Sequence, residues 1–207
     1  GLDERAVALV AQALGVEAPG LARGALNEPA PAIESGPHSP RAIVLDADAL
    51  TILARAPELF EALHQRCVLT PHAGEFARLF PDIWARLQAP AEQGPAYSKI
   101  DAAQEAAARA GCIVLFKGRD TVIVEPGGRV VLHSASYERA APWLASAGAG
   151  DVLAGMIAGL MARGFWPERA AETAVWLHAE AARSFGPGLI AEDLSEELPS
   201  VLRNLGC

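Results

Sequence analysis

The sequence predicts an α/β fold: a mostly parallel sheet covered by helices on both faces, with an antiparallel hairpin at the edge. Three observations carry this. Short apolar runs at Ala42 to Leu45, Cys67 to Leu69 and Ile113 to Phe116 each end in a polar residue and are separated by helix-like segments. Such alternation marks buried parallel strands joined by crossover helices. The β-branched runs Thr121 to Glu125 and Arg129 to His133 flank Pro126-Gly127-Gly128, a turn signal for a hairpin. Finally, the small-residue stretch Ala145-Ser146-Ala147-Gly148-Ala149-Gly150-Asp151 runs straight into the apolar segment Val152 to Met161, a loop that opens a helix.

The remaining elements follow in chain order. Ala6, Leu9, Val10, Ala13 and Leu14 fall at helical spacing after Asp3, and Gly15 is a natural stop. Residues 16–40 contain Pro19, Pro29, Pro31, Pro37 and Pro40, which predicts a surface insertion without regular structure. A second peripheral loop is expected over 81–97, followed by an Ala-rich helix from Ser98 to Ala110. Helices are predicted from Asp151 to Arg163, from Pro167 to Ser184 with proline in its first turn, and from Asp193 to Asn204, interrupted by Pro199. No internal repeat or second domain is visible, so residues 1–207 read as one domain.

Composition narrows the function classes. The chain has 207 residues, 51% of them hydrophobic, enough to bury one sizeable core. A net charge of −8 without a basic stripe argues against nucleic acid or an anionic membrane as partner. No apolar run reaches the roughly 18 to 20 residues that span a bilayer, and Gly1-Leu2-Asp3-Glu4 has no signal-peptide pattern. Cys67, Cys112 and Cys207 are far apart and odd in number, which points to reduced thiols and no metal cluster. A cytoplasmic protein is expected, and the start without methionine predicts a chain whose upstream part is absent.

In parallel sheets ligands bind beyond the carboxyl ends of the strands, where Asp46, Thr70 and Lys117 stand. Gly148 and Gly150 allow close backbone approach to a phosphate at a helix N-terminus, and Asp151 could take a proton from an attacking hydroxyl or merely cap the helix. In Thr70-Pro71-His72-Ala73-Gly74-Glu75, His72 could donate to a carbonyl or phosphate and Glu75 could hold a magnesium-bound water. Equally, Glu75 caps the helix and His72 is solvated. In Lys117-Gly118-Arg119-Asp120-Thr121 the ammonium could neutralise phosphate, or simply snorkel. Asp46 and Asp48 could bind a metal or a substrate hydroxyl, or cap a helix. His178 reads as a packed helical residue.

In this order, Val44-Leu45-Asp46-Ala47-Asp48-Ala49-Leu50, Leu69-Thr70-Pro71-His72-Ala73-Gly74-Glu75-Phe76, Lys117-Gly118 with Thr121, and Ala147-Gly148-Ala149-Gly150-Asp151-Val152-Leu153-Ala154-Gly155 resemble the ADP/ATP-dependent NAD(P)H-hydrate dehydratases. The resemblance spans roughly Ala42 to Leu202. It implies a ribokinase-like fold, lacking here its first strands, and a metabolite-repair hydro-lyase. That enzyme restores NADH or NADPH from the hydrated forms NADHX and NADPHX, converting ADP to AMP and phosphate or using ATP.

By motif match, the resemblance makes Asp151 the catalytic base and a substrate contact, with His72 and Gly1 also binding substrate. Lys117, Gly118, Arg119, Asp120, Thr121 and Gly150 would hold the nucleotide, and Gly148, Ala149 and Gly150 would form an anion hole. Mg2+ would accompany the phosphates, with Glu75 in its water shell. A homo-oligomer and a fused or partner NAD(P)H-hydrate epimerase are also implied. The chain departs from the family at Ser146, at Ala149, which removes a hydroxyl, and at Arg139 to Trp143, where an Asn-containing stretch is expected. Two alternatives stay open: a small-molecule kinase of the same fold, which would lack the Thr-Pro-His-Ala-Gly-Glu turn, and an inactive nucleotide-binding remnant.

Overall fold

A computed structural model describes residues 3–17, 40–92 and 94–206. Gly1 and the 18–39 part of the expected insertion lie outside the described residues.

Helix α1 (Glu4–Leu14) starts at Asp3, whose carboxylate accepts the Ala6 N–H, and stops at Gly15 in the left-handed region, a residue free of the Cβ penalty there. The sheet has the order β1 (Ile43–Leu45), β2 (Cys67–Leu69), β3 (Ile113–Phe116), β4 (Asp120–Val124) and β5 (Val130–Ser134). The first three strands are parallel, and the β3–β4 and β4–β5 pairs are antiparallel. Sheet and hairpin thus match the prediction, with ends shifted by about a residue.

Alternate side chains of each strand face opposite layers. On one face Cys67, Leu69, Val114, Phe116, Val122 and Val124 pack with α1, α2 (Asp48–Leu53), α4 (Ala73–Leu79), α5 (Pro81–Gln88) and α6 (Lys99–Ala110), with α3 (Pro57–Glu61) alongside. On the other, Val68, Ile113, Leu115 and Ile123 pack against α7 (Ala149–Ala162) and α8 (Pro167–Phe185). Helix α9 (Ala191–Asn204) covers α8 and α7 and contains Pro199. Cys67 and Cys112 are free thiols in the core, and burial pushes both upward in pKa.

Two expectations are corrected. Residues 81–97 are not one loop, because Pro81–Gln88 is helical and Ile83 is fully buried. Proline in a first turn forfeits no hydrogen bond and presets φ, so Pro81 starts this helix rather than breaking it. Helix α7 begins at Ala149, not Asp151, so Ala149 and Gly150 already belong to its first turn. Among the described residues no helix is long and apolar enough to cross a membrane.

Candidate active site

The parallel strands deliver three loops to one end of the sheet, where α7 also begins. Beyond β1, Asp46 accepts a hydrogen bond of 2.8 Å from Lys117 Nζ at the end of β3, the two side chains being 12% and 17% exposed. Partial withdrawal from water strengthens such a pair. Glu75 Oε2 lies 3.9 Å from the same ammonium. A Cβ on Gly150 would stand 3.3 Å from Lys117 Nζ and 4.0 Å from Asp46 Oδ2, so the ion pair sits directly against the start of α7.

The turn after β2 is built by reciprocal capping. His72 Nδ1 accepts the N–H groups of Gly74 and Glu75, at 2.9 and 3.3 Å, while Glu75 Oε2 accepts the His72 N–H at 2.8 Å. With Nδ1 accepting, a neutral His72 ring carries its proton on Nε2, 3.4 Å from Glu75 Oε1. The ring is thus a fixed donor on an otherwise exposed side chain. Behind it, Phe76 and Phe116 stack with centroids 4.1 Å apart and planes 3° from parallel, which joins the His72 turn to the strand that carries Lys117.

Backbone donors converge at the same end. Gly148 takes φ +83° as the N-cap of α7, and the first turn leaves the N–H groups of Gly150 and Asp151 without a backbone acceptor among the described residues. The Ala149 N–H, by contrast, donates to Ser146 O at 3.3 Å. In the turn after β3, Gly118 and Arg119 likewise have N–H groups with no backbone acceptor among the described residues. Two clusters of amides without backbone acceptors, one ammonium and a helix N-terminus are groups that attract an anion.

A cavity of about 840 Å³ opens beside these groups, lined by His72, Ala73, Lys117, Gly118, Arg119, Thr121, Ala149 and Gly150. Its volume suits an organic ligand. Of the expected residues that are described, those outside that lining are Gly148, Glu75, Asp120 and Asp151. Asp120 accepts from Ser134 Oγ at 2.5 Å and fastens β4 to β5, and Asp151 is exposed in the first turn of α7. Glu75 is committed to its cap, and no group of three or more His, Cys, Asp or Glu side chains that could hold a metal occurs among the described residues. A resident metal therefore has no protein ligand cluster of that size among the described residues.

Sequence reasoning missed much of the wall. The two 3-10 turns Tyr137–Arg139 and Pro142–Ala145 bring Ala140, Ala141, Pro142, Leu144 and Ala145 to the cavity, and His133, Ala135, Leu153, Val175, His178 and Ala179 complete it. His178 is buried, as expected of a packed helical residue, but its Nε2 also donates to Ala149 O at 2.8 Å. Burial pushes its pKa down to about 4, so the ring is a neutral strut between α8 and the start of α7. Ser146 Oγ reaches Trp143 O and Leu189 O at 2.7 and 3.1 Å, tying the glycine loop to its flanks.

An α/β sheet whose free amides and ammonium gather beyond the carboxyl ends of its parallel strands places them where doubly covered sheets bind their ligands. Comparison with known proteins names the group. The NAD(P)H-hydrate dehydratase family profile, Carb_kinase, matches residues 5–200, and the chain belongs to that family. It is 40% identical over 167 residues to the bifunctional NAD(P)H-hydrate repair enzyme Nnr of Moorella thermoacetica, covering 78% of this chain and 29% of that protein. It is 36% identical over 169 residues to the ADP-dependent (S)-NAD(P)H-hydrate dehydratase of Xanthomonas campestris, covering 79% and 52%. The chain therefore spans about half the length of that dehydratase and under a third of the bifunctional relative.

Among solved structures, the Bacillus subtilis ADP/ATP-dependent NAD(P)H-hydrate dehydratase co-crystallized with ATP/Mg2+ aligns with a TM-score of 0.59 at 30% identity, covering 78% of this chain and 54% of that one. A ribokinase-like superfamily protein from Enterococcus faecalis, 22% identical with a TM-score of 0.59 over 81% and 54% of the two chains, supports the fold. The fold is ribokinase-like.

Proposed function

We propose that this chain is the catalytic part of a cytoplasmic ADP- or ATP-dependent NAD(P)H-hydrate dehydratase. The observation that carries the reading is the convergence of Lys117, the free amides of Gly118, Arg119 and Gly150, and the His72 donor at one cavity. The nucleotide polyphosphate lies along the amides and Lys117, and Thr121 closes the turn by donating to Gly118 O at 2.9 Å. His72 Nε2–H meets the hydrated dinucleotide, and Glu75 acts through His72. Asp151 takes the proton of the ring hydroxyl as that oxygen attacks the terminal phosphorus of the nucleotide. Phosphate then leaves with the C–O bond's electrons, a ring proton is lost, and the double bond returns, so ADP gives AMP and phosphate. Magnesium enters with the nucleotide. The relatives that are named bifunctional support a fused or partner epimerase, and a homo-oligomer remains part of this proposal.

The test is recovery of reduced-nicotinamide absorbance when the chain is mixed with hydrated NADH, magnesium and either ADP or ATP. Recovery is expected with one nucleotide, and Asp151→Asn is expected to keep nucleotide binding while losing most turnover. The exposed position of Asp151, outside the cavity lining, favours one rival: a nucleotide-binding chain without turnover. Bound nucleotide with no recovery by the unaltered chain would establish that rival.

A further inference from the structure

Lys99 opens α6, where sequence alone gives it no task. Ser98 caps the helix with Asp101, and the Lys99 side chain runs under the turn that follows β3. Its Nζ donates to Lys117 O at 3.1 Å and to Asp120 O at 2.6 Å, the two ends of that turn, and lies 4.3 Å from the centre of the Phe116 ring. The approach is possible because residue 118 is glycine, since a Cβ there would stand 2.7 Å from Nζ. The two carbonyls between are also taken: Gly118 O accepts from Thr121 Oγ1 at 2.9 Å, and Arg119 O accepts from Ala135 N at 2.9 Å.

Every carbonyl of residues 117 to 120 is thus engaged, while the N–H groups of Gly118 and Arg119 have no backbone acceptor among the described residues. An anion is repelled by carbonyl lone pairs and attracted by N–H groups, so which set faces the cavity decides whether this turn binds phosphate. We propose that Lys99 is the positioning residue of the anion site: its ammonium draws both terminal carbonyls of the 117–120 turn away from the cavity and thereby presents the amides of Gly118 and Arg119 to the nucleotide phosphates. Lys99 does not itself line the cavity. Burial lowers its pKa to about 8, which leaves the ammonium mostly charged at neutral pH. The cation–π contact with Phe116, itself stacked on Phe76, ties this scaffold to the His72 turn.

The inference rests on the nucleotide-dependent reading above, and its test separates the two. ADP and ATP affinity by calorimetry, and KM and kcat for the nucleotide, are measured for the unaltered chain, Lys99→Met and Lys99→Arg, with a thermal melt of each. Lys99→Met is expected to raise the nucleotide Kd and KM at least about tenfold, the loss of a charged donor to two carbonyls, with kcat at saturation changed less than about threefold. Lys99→Arg, which still donates to both carbonyls, is expected to recover most of the affinity. If Lys99→Met lowers the melting temperature but leaves Kd and KM unaltered, Lys99 is only a structural tie and the inference falls alone. Should Lys99→Met fail to fold, Lys99→Ala, which removes the donor without placing an apolar chain beneath the turn, replaces it, and unaltered affinity there overturns the inference. An unaltered chain that binds neither nucleotide overturns this inference together with the reading beneath it.

Discussion

Lys117 and Asp46 stand 71 positions apart, and their pairing shows what a residue can and cannot reveal before folding. Each was recognisable as a polar residue at a strand end, but nothing in the sequence says that one carboxylate neutralises the other's ammonium. The pairing gives Lys117→Ala two separable effects. Nucleotide affinity should fall by about one to two orders of magnitude, and stability by about 2 kcal/mol, because Asp46 keeps a partly buried charge without its partner. Adding Asp46→Asn should restore most of the stability and none of the affinity, read by chemical denaturation and calorimetry. His178 offers a second test. Its pKa is about 4 when folded against 6.5 for the ordinary group, so between those values the unfolded chain binds more protons. Its contribution is therefore complete above pH 6.5 and lost as pH falls towards 4, by about 3 kcal/mol in all. His178→Gln, which does not titrate, should flatten that slope in denaturation curves. A smaller slope of the same sign should survive from His133 and His64, both also lowered by burial.

At the scale of elements, strands were the most legible because β2 and β3 are buried on both faces and must read as unbroken apolar runs. Helix α5 was hidden by its proline, and the true start of α7 by glycines that read as loop. There, capping is carried out by Gly148 in the left-handed region, with no side-chain cap. Gly148→Ala should cost about 1 to 2 kcal/mol from that conformation alone. The new Cβ would also meet Ala191 Cβ at 3.1 Å, shifting the first turn of α7 against α9. A thermal melt and nucleotide affinity should therefore fall together, whereas Gly155→Ala, in open space along the same helix, should hold or raise stability. Lys99 escaped the sequence reading for a related reason: at the head of an Ala-rich amphipathic helix a lysine looks like solvent-facing decoration, and only the returning β3–β4 turn gives it carbonyls to hold.

Across the whole molecule, strand-end turns, the hairpin, 3-10 turns and three helices contribute to the wall of a single cavity, which is why local motifs revealed its phosphate end and not its far end. Much of the wall is alanine, which has no chemistry to advertise. Ala73, Ala135, Ala140, Ala141, Ala145, Ala149 and Ala179 all face the cavity. A methyl group has no rotamer to change and cannot swing aside, so over much of its surface the cavity is shaped by main chain and Cβ atoms alone. Such a wall works as a fixed gauge: a ligand one carbon too wide meets backbone, and selectivity by size can be graded in single-carbon steps at these positions without disturbing a polar group.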